Sequence, residues 1–223
     1  MQRTMMMLAF ALTLTVGAHA NLVTNGSFEN TNNTFVPDAN HVDILNSGST
    51  LIPGWTTTNS VPLAWLQNGN PYGISAQDGQ FFLDLTGYAD SGTYGGVTQS
   101  FATTPGTNYT VTFELGYGGA SRAFSGPVSV RASAAGSSQT FTSASGDPNP
   151  ALWNLETFNF TATSGTTQLS LVGVSTAGGE YIGLDNVNVQ LSATASIPEP
   201  GTWGLLVCGI ALLGCAKRRV ASR

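Results

Sequence analysis

The sequence predicts an all-β protein, an antiparallel β-sandwich, and three observations carry that prediction. Short apolar stretches recur along the chain, eight or more of them, each bounded by Gly, Pro or Asn turns. The clearest one alternates strictly, with Tyr109, Val111, Phe113, Leu115 and Tyr117 set between Thr110, Thr112 and Glu114. That period of two belongs to a strand with one buried face. No convincing helical period occurs, and only 9% of residues are charged while Gly, Ser, Thr and Asn abound. Such a composition favours turns and strands. Recurring aromatic and β-branched residues argue against disorder.

The 223 residues divide into a signal peptide (1–20), a sandwich domain (21–191), a small-residue linker (192–197) and a tail (198–223). Met1 to Ala20 carries Arg3, an apolar stretch from Met5 to Val16, and Ala18-His19-Ala20. This is a secretory signal with a small-x-small cleavage site, a permanent anchor being the alternative. His41 is then the only histidine of the exported domain.

The mature chain opens on Asn21-Leu22-Val23-Thr24-Asn25-Gly26-Ser27-Phe28-Glu29, where an Asn-Gly turn suggests two small strand pieces. A polar, looped segment follows to about Thr50, and Ile52-Pro53-Gly54-Trp55 turns the chain. Strands are predicted over Val61–Gln67, Gln80–Leu85 and Gly95–Ala102, and then at the alternating run from Tyr109 to Tyr117. Val128 and Val130 open a further strand, and Asp147-Pro148-Asn149-Pro150 makes a rigid loop before Trp153–Thr163. Leu169 and Leu171 mark the next strand and Tyr181–Leu191 the last. No repeat of fixed period is apparent.

Charge narrows the function. Between Asn21 and Ile197 eleven Asp and Glu face only Arg122 and Arg131, a net of −9 with His41 neutral. A domain so acidic repels phosphate backbones, so nucleic acid is not expected as a partner. Both cysteines, Cys208 and Cys215, lie in the tail, so disulfides do not stabilise the domain.

The tail holds Pro198-Glu199-Pro200, an uncharged run from Trp203 to Ala216, and the cations Lys217, Arg218 and Arg219. Its prolines disfavour helix before them. A helix of about 14 residues spans roughly 21 Å, short of a hydrocarbon core near 30 Å. The cations would hold it on the cytoplasmic side. A buried core helix is the alternative. In order of parts the tail resembles the PEP-CTERM protein-sorting tail of bacteria, with Pro198, Glu199 and Pro200 as the signature tripeptide. That resemblance implies export, an exosortase-type processing partner, cleavage near the tripeptide and a transient hold on the membrane.

A second resemblance covers nearly all of Asn21 to Leu191. Its pieces are Asn25-Gly26-Ser27-Phe28-Glu29, Ile52-Pro53-Gly54-Trp55, Asp78-Gly79, Gly96 to Phe101 with Tyr109 to Phe113, and Leu184-Asp185-Asn186-Val187. In this order they resemble galactose-binding-like jelly rolls, including family 4/9/22-type carbohydrate-binding modules and a related cell-wall domain family of plants and bacteria. The resemblance implies first and last strands lying close together, with a structural Ca²⁺ anchored by Glu29 and Asp185. Calcium takes six to eight oxygens, many from backbone. Asn186 stands where many relatives have a second acid, which lowers the charge offered. The plainer reading makes Asp185 a turn cap and Glu29 a solvated strand end.

Sugar sites on such sandwiches combine an aromatic platform with amides or carboxylates. The aromatic candidates are Trp55, Trp65, Tyr72, Tyr88, Tyr94, Tyr117 and Trp153. Trp65, Tyr88, Tyr94 and Tyr117 are taken as the platform set, with Arg122 as a polar partner. Trp55 is expected to be buried, and a structural ion pair is the alternative role for Arg122. Enzyme readings lack support. No Gly-x-Ser-x-Gly, His-Glu-x-x-His or phosphate-binding glycine loop occurs, and His41 sits in a loop without a supporting motif. The carboxylates Asp78 and Asp84 are poorly placed for glycoside hydrolysis. The expectation is an exported, non-enzymatic sandwich at the cell surface or in the extracellular matrix, bound to extracellular polysaccharide. A structural or adhesive matrix protein working through protein contacts is the alternative.

Overall fold

The computed structural model describes residues 20–58, 62–87, 94–119, 127–146, 148–174 and 181–192. They form eleven strands: β1 (Val42–Leu45), β2 (Thr56–Thr58), β3 (Leu63–Gln67), β4 (Phe81–Asp84), β5 (Gly96–Ala102), β6 (Asn108–Tyr117), β7 (Ser129–Ala134), β8 (Ser137–Thr142), β9 (Leu152–Thr161), β10 (Thr166–Gly173) and β11 (Gly183–Leu191). Two sheets result, a six-stranded one in the order β1-β3-β4-β11-β6-β9 and a five-stranded one in the order β2-β5-β10-β7-β8. Every pairing is antiparallel. The predicted sandwich is therefore observed.

Alternation builds the core. Val111, Phe113 and Leu115 of β6 meet Leu184 and Val189 of β11 and Phe158 and Phe160 of β9, against Val97, Phe101, Val130, Ala132, Leu169 and Leu171 of the other sheet. Burying each of the larger side chains stabilises by about 1.5–3 kcal/mol. Trp55 lies in this core, as predicted. Its Nε1 donates to the Asn25 carbonyl at 2.9 Å, and its ring sits 5.7 Å from Phe28.

The amino-terminal segment departs from the prediction. Residues 22–28 make bends and turns and no strand. Asn25 and Phe28 adopt left-handed φ of 54° and 59°, which breaks an extended run. The segment still lies along β11, because Leu22 N–H donates to Val189 and Val187 N–H donates to Gly26. The Asn21 amide completes this pairing, donating to the Val187 carbonyl and accepting from Val189 N–H. A Cβ at Gly26 would collide with the Val187 carbonyl, so only glycine permits the approach. The two ends of the domain are thus adjacent.

Three strands lay outside the prediction, among them β2, which follows directly on the turn at Trp55. β1 lies in the segment expected to be loop, and β8 carries only one buried residue, Phe141. β8 is fixed by the Ala135-Gly136 turn, with φ of 51° and 82°, which matches the twist of a tight hairpin.

A second apolar cluster lies on the outer face of the six-stranded sheet. Val42, Ala64, Leu66, Phe82 and Tyr181 are covered there by Ile74, Tyr72 and Ala76 from the loop between β3 and β4. Asparagines shape that loop. Asn70 Nδ2 donates to the carbonyls of Gln67 and Ile74, and Asn68 Oδ1 accepts from Ala76 N–H at 2.7 Å. Two carboxylates secure its far end.

Candidate functional site

Opposed residues of an antiparallel pair share a face, so the register gives the outer surface of β9, β6 and β11 row by row. Trp153, Gly116 and Gly183 form one row, and Leu155, Glu114 and Asp185 the next. Thr157, Thr112 and Asn188 follow, then Asn159, Thr110 and Gln190. The bulge between Asp185 and Asn188 keeps the later rows in phase. An aromatic ring, a carboxylate and a field of amides and hydroxyls thus share one surface.

Trp153 is held flat at one end. The side chain that Gly116 lacks would meet the indole at 2.8–2.9 Å, so the ring occupies the space glycine leaves. Trp153 Nε1 donates to the Ser75 carbonyl at 3.0 Å, and the ring stands edge-to-face with Phe82 and Tyr181 at 6.0 and 6.4 Å. The indole is half-buried, and beside it Leu155 is 63% exposed.

Glu114 is the unusual member. Only 8% of its surface is exposed, and among the described residues it makes no hydrogen bond or ion pair. Burial pushes its carboxyl above the ordinary range. Glu156 on β9 is pushed up by its own burial and then by the charge of Glu114. The Glu114 stem accounts for much of that residue's burial, since its carboxylate oxygens are not among the fully buried atoms left without a partner.

Asp185, directly opposite Glu114, shows the contrast. It is fully buried, yet Oδ2 accepts from Gln77 and Asp78 N–H at 2.8 and 3.0 Å and Oδ1 from Asn186 N–H at 2.6 Å. Burial raises its carboxyl to about 7, against the N–H groups of Asp78, Asn186 and Gln77, which lower it. Glu29 works on the same loop, its Oε1 accepting from Gln80 and Phe81 N–H at 2.8 and 2.7 Å. The two residues expected to anchor calcium do converge. Five N–H groups meet three of their oxygens, however, and no third acidic side chain joins them in a metal-binding group among the described residues. As it stands, this donor set forms a hydrogen-bonded latch on the loop between β3 and β4.

The outer face of the five-stranded sheet differs. A shallow depression of about 330 Å³ there is lined by Ser133, Ser138, Gln168 and Ser170, with no aromatic ring or carboxylate.

The DUF642 family profile, described as a protein of unknown function, matches residues 21–190. The chain belongs to the DUF642 family. This DUF642 chain is also 31% identical over 195 residues to Halomucin of Haloquadratum walsbyi, a match that covers 81% of the chain and 2% of Halomucin. Similar solved structures include a family 61 carbohydrate-binding module in complex with β-1,4-galactotriose, at TM-score 0.44 and 15% identity over 78% of this chain and 99% of that one. The CBM22-1 xylan-binding domain of Paenibacillus barcinonensis Xyn10C gives TM-score 0.43 and 17% identity over 71% and 100%. A structure described as CBM4 gives TM-score 0.40 and 16% identity over 76% and 99%.

Several predicted site residues of the DUF642 domain are corrected by its structure. Trp65 is fully buried on the core side of β3, with Phe35 at 5.2 Å and Phe81 at 5.8 Å from its ring. Tyr94 is 2% exposed and packed over Gly173, and Tyr117 is 6% exposed on the inward face of β6. None of the three can offer a ring face to a ligand. Tyr88, Arg122, Pro198, Glu199, Pro200, Lys217, Arg218 and Arg219 lie outside the described residues, as does nearly all of the signal peptide. Trp153 takes the aromatic place. Glu114 was missed as a site residue, and its only signal was a lone acid on the polar side of the best-alternating strand.

Proposed function

We propose that this DUF642 domain is a non-catalytic module of the cell exterior that holds polysaccharide on the outer face of its six-stranded sheet. Glu114 carries the reading. The residue is nine-tenths buried, yet its carboxylate has no hydrogen-bond partner among the described residues and is not sealed off, so it is an acceptor open to donors, and adjacent sugar hydroxyls supply them in pairs. Trp153 and Leu155 offer an apolar surface to the C–H face of a pyranose ring, while Thr112, Thr157, Asn188 and Asn159 extend polar contacts along a chain of sugars.

Retention of the full chain on immobilised polysaccharides tests the reading. One glycan of the panel should retain the wild type, and Trp153→Ala should weaken that binding roughly ten- to hundredfold, the range for losing a central contact. Binding that is indifferent to Trp153 and Glu114, or absent throughout, overturns it.

Export across the inner membrane, exosortase-type processing at Pro198-Glu199-Pro200 and a transient membrane hold by the tail complete the proposal. Intact-mass measurement of the cell-surface protein checks this, with a product ending near Pro198 as the predicted result. At Glu29 and Asp185 the latch reading predicts a melting curve unmoved by chelator, and a curve lowered by chelator would favour bound calcium. A second reading, a matrix protein acting through protein contacts, draws on β9. This ten-residue edge strand carries Leu152 and Leu155 at 51% and 63% exposure, and open edges of this kind pair with other strands. Self-association of the full chain without glycan, abolished by charge at Leu155, would favour it.

A further inference from the structure

We infer that the Glu114 face selects polysaccharides bearing free amino groups, glucosamine-type polymers, over neutral or acidic ones. The inference rests on the glycan-binding reading and goes further by naming the ligand's charge.

A hydroxyl would satisfy the hydrogen-bonding capacity of Glu114 without touching the charge problem around it. Asp185 stands directly opposite on β11, and Glu156 on β9 feels the charge of Glu114. Asp84 lies one row away, opposite Gly183. Among the described residues the only Lys or Arg is Arg131, and it belongs to β7 of the other sheet. The protein therefore brings no described cation to this face. Asp185 and Asp84 are served by their own donors, from Gln77, Asp78 and Asn186 in one case and from Thr86 and Ile182 in the other. Glu114 alone of the three has no hydrogen-bond partner among the described residues. An ammonium donates hydrogen bonds and neutralises charge in one group, and in a half-buried site charge-assisted bonds are roughly twice as strong as neutral ones. Trp153, beside that row, gives a cation a π face. Uronic acids or sulfated sugars would bring like charge to buried carboxylates.

The test compares oligosaccharides of equal length: glucosamine, its N-acetylated counterpart, a neutral glucose series and a galacturonate series. Binding to the full chain is measured at about 0.15 M salt, where exposed charges are largely screened. The glucosamine series should bind roughly tenfold or more tightly than the N-acetylated one, and Glu114→Gln should erase that preference. Asp43→Asn, an equal charge change on the far edge strand β1, should leave it intact. A preference that survives Glu114→Gln, or falls equally with Asp43→Asn, is general charge attraction and overturns the inference. Tight binding of the neutral series that still needs Trp153 and Glu114 overturns the inference and leaves the glycan-binding reading standing. Binding of none overturns both. An unchanged circular dichroism spectrum for each variant excludes unfolding as the cause.

Discussion

Glu114 stabilises nothing that the structure shows, and that makes its removal informative. Glu114→Gln keeps the shape and removes a charge from an acidic neighbourhood, worth at most about 1 kcal/mol because the carboxylate lies near solvent. Scanning calorimetry should then show a melting temperature unchanged or raised by no more than about 4 °C, given a rise of about 2–4 °C per kcal/mol for a domain of this size. A fall would mean that Glu114 is a structural acceptor. Gly116 gives the complementary case. A Cβ there would meet the Trp153 ring at 2.8–2.9 Å, and Gly116→Ala should cost about 1–3 kcal/mol as overpacking and weaken glycan binding with it. The sequence could not rank the tryptophans. Trp65 and Trp153 both sit in apolar surroundings along the chain, and what separates them is that Phe35 and Phe81 close over one while the other lies on glycine at an edge.

Among the elements, the loop between β3 and β4 depends on Asp185. Its carboxyl moves from 3.8 to about 7 on folding, chiefly through burial. The native state therefore holds this proton more tightly than the unfolded chain. The associated stability is full below 3.8, falls as pH rises through about 7, and is then constant. Asp185→Asn should flatten that slope in melting curves taken across the window. It should also lower stability at every pH, because an amide NH₂ cannot accept from the loop N–H groups. Strand content was largely legible, since β6 and the strands around it alternate cleanly. β8 was not, because five of its six residues are not buried and leave no apolar period to read. The pairing along residues 21–28 escaped notice because side-chain amides and left-handed residues replace a regular ladder there.

At the scale of the molecule, a domain of net charge −9 presents two chemically unlike faces. One sheet presents hydroxyls and amides, and the other carries buried carboxylates beside an indole. Charge alone argued against nucleic acid, and alternation alone gave a sandwich. The choice of face was not in the sequence, because it follows from which sheet collects Glu114, Trp153 and Asn188 in neighbouring rows. The exposed leucines of β9 adjoin that face, so glycan binding and self-association should compete for it, and saturating glycan should dissociate any oligomer in sedimentation velocity.

The central claim is that Glu114 and Trp153 form one glycan-binding surface, and equilibrium titration of a retained polysaccharide into wild type, Trp153→Ala, Glu114→Gln and the double variant tests it most directly. Both single variants should lose affinity, roughly ten- to hundredfold, and the double variant should depart from the product of the two losses, as groups that share one ligand couple. Wild-type affinity in both single variants would contradict it.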